Sequence, residues 1–329
     1  MSHACSGKSA DLDRLQDAFD GVEPWTGMVR GGQIANFLGV LTSLDYFTPV
    51  DRRRHAYAGP YRAETRPPTI SDGDVYFEWL DVFEAVRGAT GSFTMIELGA
   101  GFAARSVNAH AALQRLNPLP ASFVVVEGEP RHFEWARDHF RANGIDPEDH
   151  WFVNALVNAT GRPELFVLAA GRYCNAILPS EDRQTLFELL KQNDVLDSAA
   201  HALLVEGRID EVIRLDEDYY DVPFGLGFLS GVRLDTILRP LGFVDYMDVD
   251  IQFAEISILP DAIEQIEAKV KRLHVGTHSG DIHATLKRMF EERGWAVLFS
   301  YEPNATHFVD SGRFQTTDGV LTVLNPRFH

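Results

Sequence analysis

From Ser92 to the C-terminus, short apolar runs alternate with segments whose apolar residues recur at helical spacing, and this alternation restricts the chain to few folds. Phe93–Leu98 reads as a buried strand, Ala103–Leu116 as a helix stopped by Asn117 and Pro118, and Ser122–Glu127 as the next strand. Pro130 suits the first turn of a helix that carries Phe133, Ala136 and Phe140 on one face and stops at Asn143 and Gly144. Trp151–Val157 reads as a third strand. After a less regular stretch the alternation resumes with strand Val244–Ile251, helix Asp261–Arg272, strand Leu273–Thr277 and helix Asp281–Arg293. Strands Ala296–Tyr301 and Gly319–Leu324 close the series with no helical pattern between them, so one must return antiparallel. The expectation is a doubly wound α/β sheet of about seven strands, one of them antiparallel near the C-terminus.

Two regions fall outside the alternation. Residues 1–90 read as a partly helical N-terminal extension: a turn or two over Asp11–Phe19, a helix over Gln33–Phe47, an extended connector from Arg52 to Pro68, then a helix carrying Tyr76, Trp79, Leu80, Phe83 and Val86. The remainder, 91–329, reads as one domain with an insertion at about 160–244. The chain has 48 acidic residues against 30 Lys and Arg, a formal charge of −18, which opposes binding to nucleic acid or anionic lipid. No apolar run approaches the ~18 residues that span a bilayer, and the start lacks the charged and apolar regions of a secretory signal. A cytoplasmic protein is the expectation, with homo-oligomerisation left open. Cys5 and Cys174 are too few and too far apart for a disulfide scaffold or a thiolate zinc site.

The segment Met95–Ala103 carries the strongest local signal: a strand, an acidic residue, then glycines that open a helix. Gly99, Ala100 and Gly101 would let a ligand approach backbone closely at the carboxyl end of the strand. The spacing Gly99, Gly101, Ala104 also fits a dinucleotide fingerprint, so the glycines alone do not decide. Glu97 does more, because a carboxylate there repels a pyrophosphate and suits the amino group of a methionine moiety. Glu127, 30 residues further on at the end of the next strand, can accept both ribose hydroxyl protons. The pair favours S-adenosylmethionine over a nicotinamide dinucleotide, and the antiparallel final strand points the same way. The bland alternative is that both acids cap neighbouring helices.

Several separated motifs agree with this. Glu97-Leu98-Gly99-Ala100-Gly101, Val126–Phe133, Asn143-Gly144-Ile145, Val232–Leu238, Val244–Glu255 and His274–Ser279 lie in order across about residues 75–301. Together they resemble the FkbM family of S-adenosylmethionine-dependent methyltransferases. The resemblance implies a Rossmann-like methyltransferase sheet and methylation of a hydroxyl on a small-molecule acceptor, a sugar or a secondary metabolite. Around the methyl donor it puts Glu97, Gly99, Ala100, Gly101, Glu127 and Asp250, with Asn154 and Ala155 in the turn that meets the adenine. Loss of a hydroxyl proton calls for a base, and Asp250 and His278, at the carboxyl ends of strands beside the first, are the candidates, with Glu255 orienting His278 or the acceptor. Asp250, Glu255 and His278 also have the ligand types for a divalent metal, but no spacing demands one and none is expected. His274 and His278, four apart, share a strand face; packing is the expected role.

Two residues depart from the family pattern. Phe253 replaces the glycine of Asp-x-Gln-Gly-Ala-Glu, and Ala103 stands where many methyltransferases have a third glycine. The first raises an alternative, a noncatalytic methyltransferase-like binding protein whose acceptor space Phe253 fills; a nicotinamide-dependent dehydrogenase is the remaining one. Trp25 and the insertion's Tyr173, Cys174, Asn175, Tyr219 and Tyr220 are the expected cover of the acceptor.

Overall fold

The computed structural model describes residues 19–47, 52, 59–169, 224–309 and 312–328. Seven strands form the central sheet: β1 (Phe93–Leu98), β2 (Ala121–Glu127), β3 (Trp151–Asn154), β4 (Val244–Val249), β5 (Val270–Thr277), β6 (Ala296–Tyr301) and β7 (Gly319–Leu324). Their order across the sheet is β6-β7-β5-β4-β1-β2-β3. Neighbours from β5 through β3 pair in parallel. β7 runs antiparallel between β5 and β6, as the missing helical pattern before it requires.

Successive side chains on a buried parallel strand face opposite layers, and both must be apolar. On β1, Phe93 and Met95 join one core with residues of α1 (Asp74–Arg87), α2 (Ala104–Leu116) and α3 (Pro130–Ala142). Ile96 and Leu98 join the other core with α4 (Leu234–Leu238), α5 (Glu255–Asp261), α6 (Ile263–Lys269) and α7 (Gly280–Glu292). Each large side chain fully buried this way contributes about 1.5–3 kcal/mol, so β1 and β2, apolar on both faces, fix the register of the sheet. That register sets Glu97 of β1 opposite Asp248 of β4, and Asp248 opposite His274 of β5. The crossovers change direction between β1 and β4, and a crevice opens there beyond the strand ends.

The extension departs from its expected form. Instead of a helix, Gln33–Phe47 holds an antiparallel pair, Gln33–Ala35 with Leu41–Ser43, followed by a single 3-10 turn, Leu44–Tyr46. Asn36 and Gly39 cause it: the Asn36 carboxamide accepts from the Leu38 and Val40 amides, and Gly39 has φ +72°. Asn36 also donates to Asn108 of α2, and Asn143, just after α3, exchanges hydrogen bonds with Leu41, so the pair is docked on the sheet's helices. Tyr61–Glu64, in the expected extended connector, pairs with Thr26–Val29. Helix α1 forms as the spacing predicts. The helix expected over Asp261–Arg272 begins earlier, as α5 and α6, and β5 starts at Val270, because Arg272 faces inward rather than to solvent. Between β6 and β7 lies an unforeseen hairpin, Thr306–Val309 with Gly312–Gln315. Asp11–Ala18 of the expected N-terminal turn and most of the insertion lie outside the described residues.

Candidate functional site

At the end of β1 the chain must bend around the end of β4. The Asp250 amide donates to the Leu98 carbonyl at 3.0 Å, and a Cβ on Gly99 would stand 1.8 Å from the Asp250 carbonyl oxygen. Gly99 also has φ +73°, so only glycine serves there. Gly101, at φ +55°, is different: a Cβ there would meet nothing within 4 Å, because the bend faces an open cleft. Ala103, at φ 56°, holds a left-handed conformation directly before α2, where glycine would be unstrained.

The cleft has a volume of about 440 Å³, within the range of small-molecule sites. Of the residues named from the sequence, Glu97, Gly99, Ala100, Gly101, Glu127, Ala155 and Asp250 line it. His132, Asp248 and Gln252, which lie within the Val126–Phe133 and Val244–Glu255 motifs, line it too, as do Asp74, Glu78, Arg105 and Asp318, which carried no motif. Asn154 does not: its amide donates to the Glu127 and Gly128 carbonyls, at 2.9 and 3.2 Å.

Glu127, at the tip of β2, is held by two amides, with Oε2 accepting from Gly101 and Oε1 from Glu129, both at 2.7 Å. Each oxygen keeps acceptor capacity toward the cleft. Burial pushes its carboxyl up from the usual range. Glu97 caps the first turn of α2, taking the Arg105 amide at 3.1 Å on one oxygen and the Ser106 amide and hydroxyl, at 2.8 and 2.5 Å, on the other. Capping and lining the cleft therefore coincide in this residue. Burial, then the charge of Asp248, pushes Glu97 up to about 7. Arg105 pairs with Glu78 beside it.

His278 follows β5, its side chain 5% exposed behind the cleft wall. Its Nδ1 lies 2.8 Å from Oε1 of Glu255, the fully buried first residue of α5. Its Nε2 lies 3.3 Å from Asp250 Oδ1 and 3.6 Å from Asp318 Oδ1. Burial opposes a charge on His278, but Asp250 and Glu255 outweigh it and hold the imidazole proton well above the ordinary range. Asp250 is likewise pushed up by burial but held below the usual carboxylate range by His278. The sequence thus led to three side chains that the fold does bring together, and it missed the fourth, Asp318.

Phe253 sits at φ +70°, next to Gln252 at φ +44°, two consecutive left-handed residues where the family pattern has its glycine. The ring leans on His278, centroids 5.5 Å apart, and does not line the cleft. His274 is no partner of His278; its Nδ1 bonds to Asp81 of α1. Among the described residues no group of three or more His, Cys, Asp or Glu side chains is arranged to hold a metal ion, and no helix is long and apolar enough to cross a membrane. Tyr173, Cys174, Asn175, Tyr219 and Tyr220 lie outside the described residues.

A β3-β2-β1-β4-β5 parallel core, an antiparallel β7 inserted before β6 and an acid-rimmed glycine bend at the switch point decide the architecture. The chain has the Rossmann-like fold of S-adenosylmethionine-dependent methyltransferases. No family model matches it. A protein of Jannaschia sp. (strain CCS1) described as "Putative methyltransferase" is 23% identical over 297 residues, covering 90% of this chain and 93% of that one. Among solved structures, precorrin-6y C5,15-methyltransferase from Geobacter metallireducens GS-15 superposes with a TM-score of 0.37 at 11% identity, over 75% of this chain and 86% of that one. Methyltransferase FkbM from Methylobacillus flagellatus KT gives 0.39 at 9% identity, over 71% and 44%. The strand order, rather than these distant superpositions, defines the fold.

Proposed function

We propose that the protein is an S-adenosylmethionine-dependent O-methyltransferase acting on a hydroxyl of a sugar or secondary metabolite. One observation carries this: the Gly99–Gly101 bend lies between carboxylates on two adjacent strand tips, Glu97 and Glu127, in a single cleft. The residues suit the donor. Glu127 has lone pairs left for the two ribose hydroxyls, Gly101 leaves room for the amino-acid end, and Glu97 with Asp248 attracts its ammonium. Ala155, which lines the cleft where Asn154 does not, would meet the adenine. A pyrophosphate would instead face Glu97, Glu127, Asp248 and Asp250 against the paired Arg105, which disfavours the dehydrogenase alternative.

The bound donor supplies an electrophilic methyl group on a sulfonium. The chain's own part is to orient and deprotonate the acceptor: Glu255 fixes the His278 ring, and His278 fixes the ionised Asp250 at the cleft wall. S-adenosylhomocysteine at a hundred times its Kd should raise the unfolding free energy by about 2.7 kcal/mol. Glu127→Gln should weaken that binding about tenfold, about 1.4 kcal/mol, by loss of the charged acceptor. Absence of any thermal shift at millimolar ligand would overturn the reading.

A further inference from the structure

Resting on the methyl-transfer reading, a question of proton transfer arises at the far side of the cleft from Glu127. Three groups converge there, and two are already engaged. His278 has its Nδ1 against Glu255 and its buried Nε2, which has no aligned hydrogen-bond partner, turned toward Asp250 and Asp318. With carboxylates at both nitrogens it is an imidazolium and has no lone pair to receive a proton. Asp250 Oδ1 accepts from Gln252 Nε2 at 3.2 Å and faces the imidazolium. Asp318 is otherwise placed. Like Asp250 it lines the cleft with a part-exposed side chain, 38% against 42%, but its contact with His278 is the longer, at 3.6 Å, and among the described residues no side-chain hydrogen bond engages it.

We propose that Asp318 is the catalytic base, the group that meets the acceptor hydroxyl at the point of methyl transfer. The acceptor oxygen forms the O–CH₃ bond as the C–S bond breaks and its electron pair returns to sulfur. The hydroxyl proton passes to the Asp318 carboxylate and from there, through its exposed edge, to solvent. His278 is then a positioning residue whose fixed positive charge keeps Asp250 and Asp318 from repelling each other. The groups facing Asp318 are Asp250 at the end of β4, His278 at the end of β5, and Asp74 and Glu78 on α1. Burial and the charge of Asp250 push its carboxyl up to about 7, where a general base is most effective near neutrality.

The acceptor is not needed for the test. S-adenosylhomocysteine and sinefungin differ in that sinefungin carries an amine where the transferring methyl would stand. Calorimetric titration of both across the neutral range gives the ratio of their Kd values. In the wild-type protein the preference for sinefungin should grow about tenfold as pH rises through about 7, because its ammonium then meets an ionised Asp318. Asp318→Asn should remove that step while leaving S-adenosylhomocysteine affinity within about twofold. His278→Gln should keep the step and move it to higher pH, since a neighbouring positive charge is lost. A step that survives in D318N, or one that vanishes in H278Q alone, would overturn the assignment to Asp318. Failure of the wild-type chain to bind S-adenosylhomocysteine at all would instead overturn the methyltransferase reading beneath it.

Discussion

Gly99 and Phe253 share a left-handed backbone for opposite reasons. Gly99 needs it because β1 and β4 touch, and a side chain would collide with the Asp250 carbonyl. Gly99→Ala should therefore cost about 3 kcal/mol in urea unfolding and abolish S-adenosylhomocysteine binding. Phe253 holds the conformation despite its Cβ, at about 1–2 kcal/mol of strain, and its ring packs on His278. In Phe253→Gly, relief of strain and loss of packing nearly cancel, so stability should change by less than about 1 kcal/mol. S-adenosylhomocysteine affinity should stay within about twofold, and a large tightening would mean that the ring occupies the cleft after all. Residues at strand ends were legible in the sequence because a local motif carries them: Glu97, Gly99, Gly101 and Glu127 all reach the cleft. Of the pair Asn154 and Ala155, Ala155 lines the cleft and Asn154 turns away, because side chains along an extended chain change sides at each residue. Asp318 had no signal, since its place depends on the antiparallel return of β7 and on the Thr306–Gln315 hairpin before it, neither of which fixes a spacing from Glu97.

At the scale of elements, α1 is fastened to the sheet by charge as well as by apolar contact. Asp81, wholly buried on α1, accepts from Arg272 at 2.6 Å, His274 at 2.8 Å and Thr322 at 2.5 Å, reaching β5 and β7 at once. Asp81→Ala would leave buried His274 without its carboxylate and Arg272 with only the exposed Glu84 at 3.9 Å, and should cost about 3–5 kcal/mol in chemical denaturation. Burial alone would lower His274, but Asp81 reverses this and raises it to about 9. A histidine raised above its unfolded value of 6.5 contributes its full stability below that pH and loses it as pH rises through about 9. Urea midpoints should fall across that window in the wild type, and His274→Gln should flatten the fall. The same network explains a misplaced boundary. Arg272 reads as the polar face of a helix, whereas it is an inward residue of β5, and a charge with a buried partner leaves no mark in hydrophobic periodicity. Where both faces of an element are apolar, as on β1 and β2, or where one clean stripe repeats, as on α3 and α7, type and limits could be read directly.

For the molecule as a whole, the formal charge is −18, and among the described residues seven carboxyl side chains, against the one cation Arg105, line a single cleft that holds some of its protons. Glu97 and Asp318 both stand at about 7 against ordinary values of 4.5 and 3.8. Carboxyls raised in this way stabilise the fold fully below those ordinary values and lose the contribution as pH rises toward 7. His139, buried against the Phe102 carbonyl and lowered to about 4, acts in the opposite sense, its contribution present above 6.5 and lost as pH falls through about 4. The ligand-free chain therefore carries near neutrality a destabilising charge that a cationic ligand can relieve. An ammonium beside Glu97 favours the ionised carboxylate, so binding S-adenosylhomocysteine near pH 7 should release roughly half a proton, and sinefungin, with a second ammonium toward Asp318, should release more. Titration calorimetry in buffers of different ionisation enthalpy measures this directly. Equal release by the two ligands would separate Asp318 from the transfer point, and proton uptake by either would mean that the ligand's cationic groups do not face these acids.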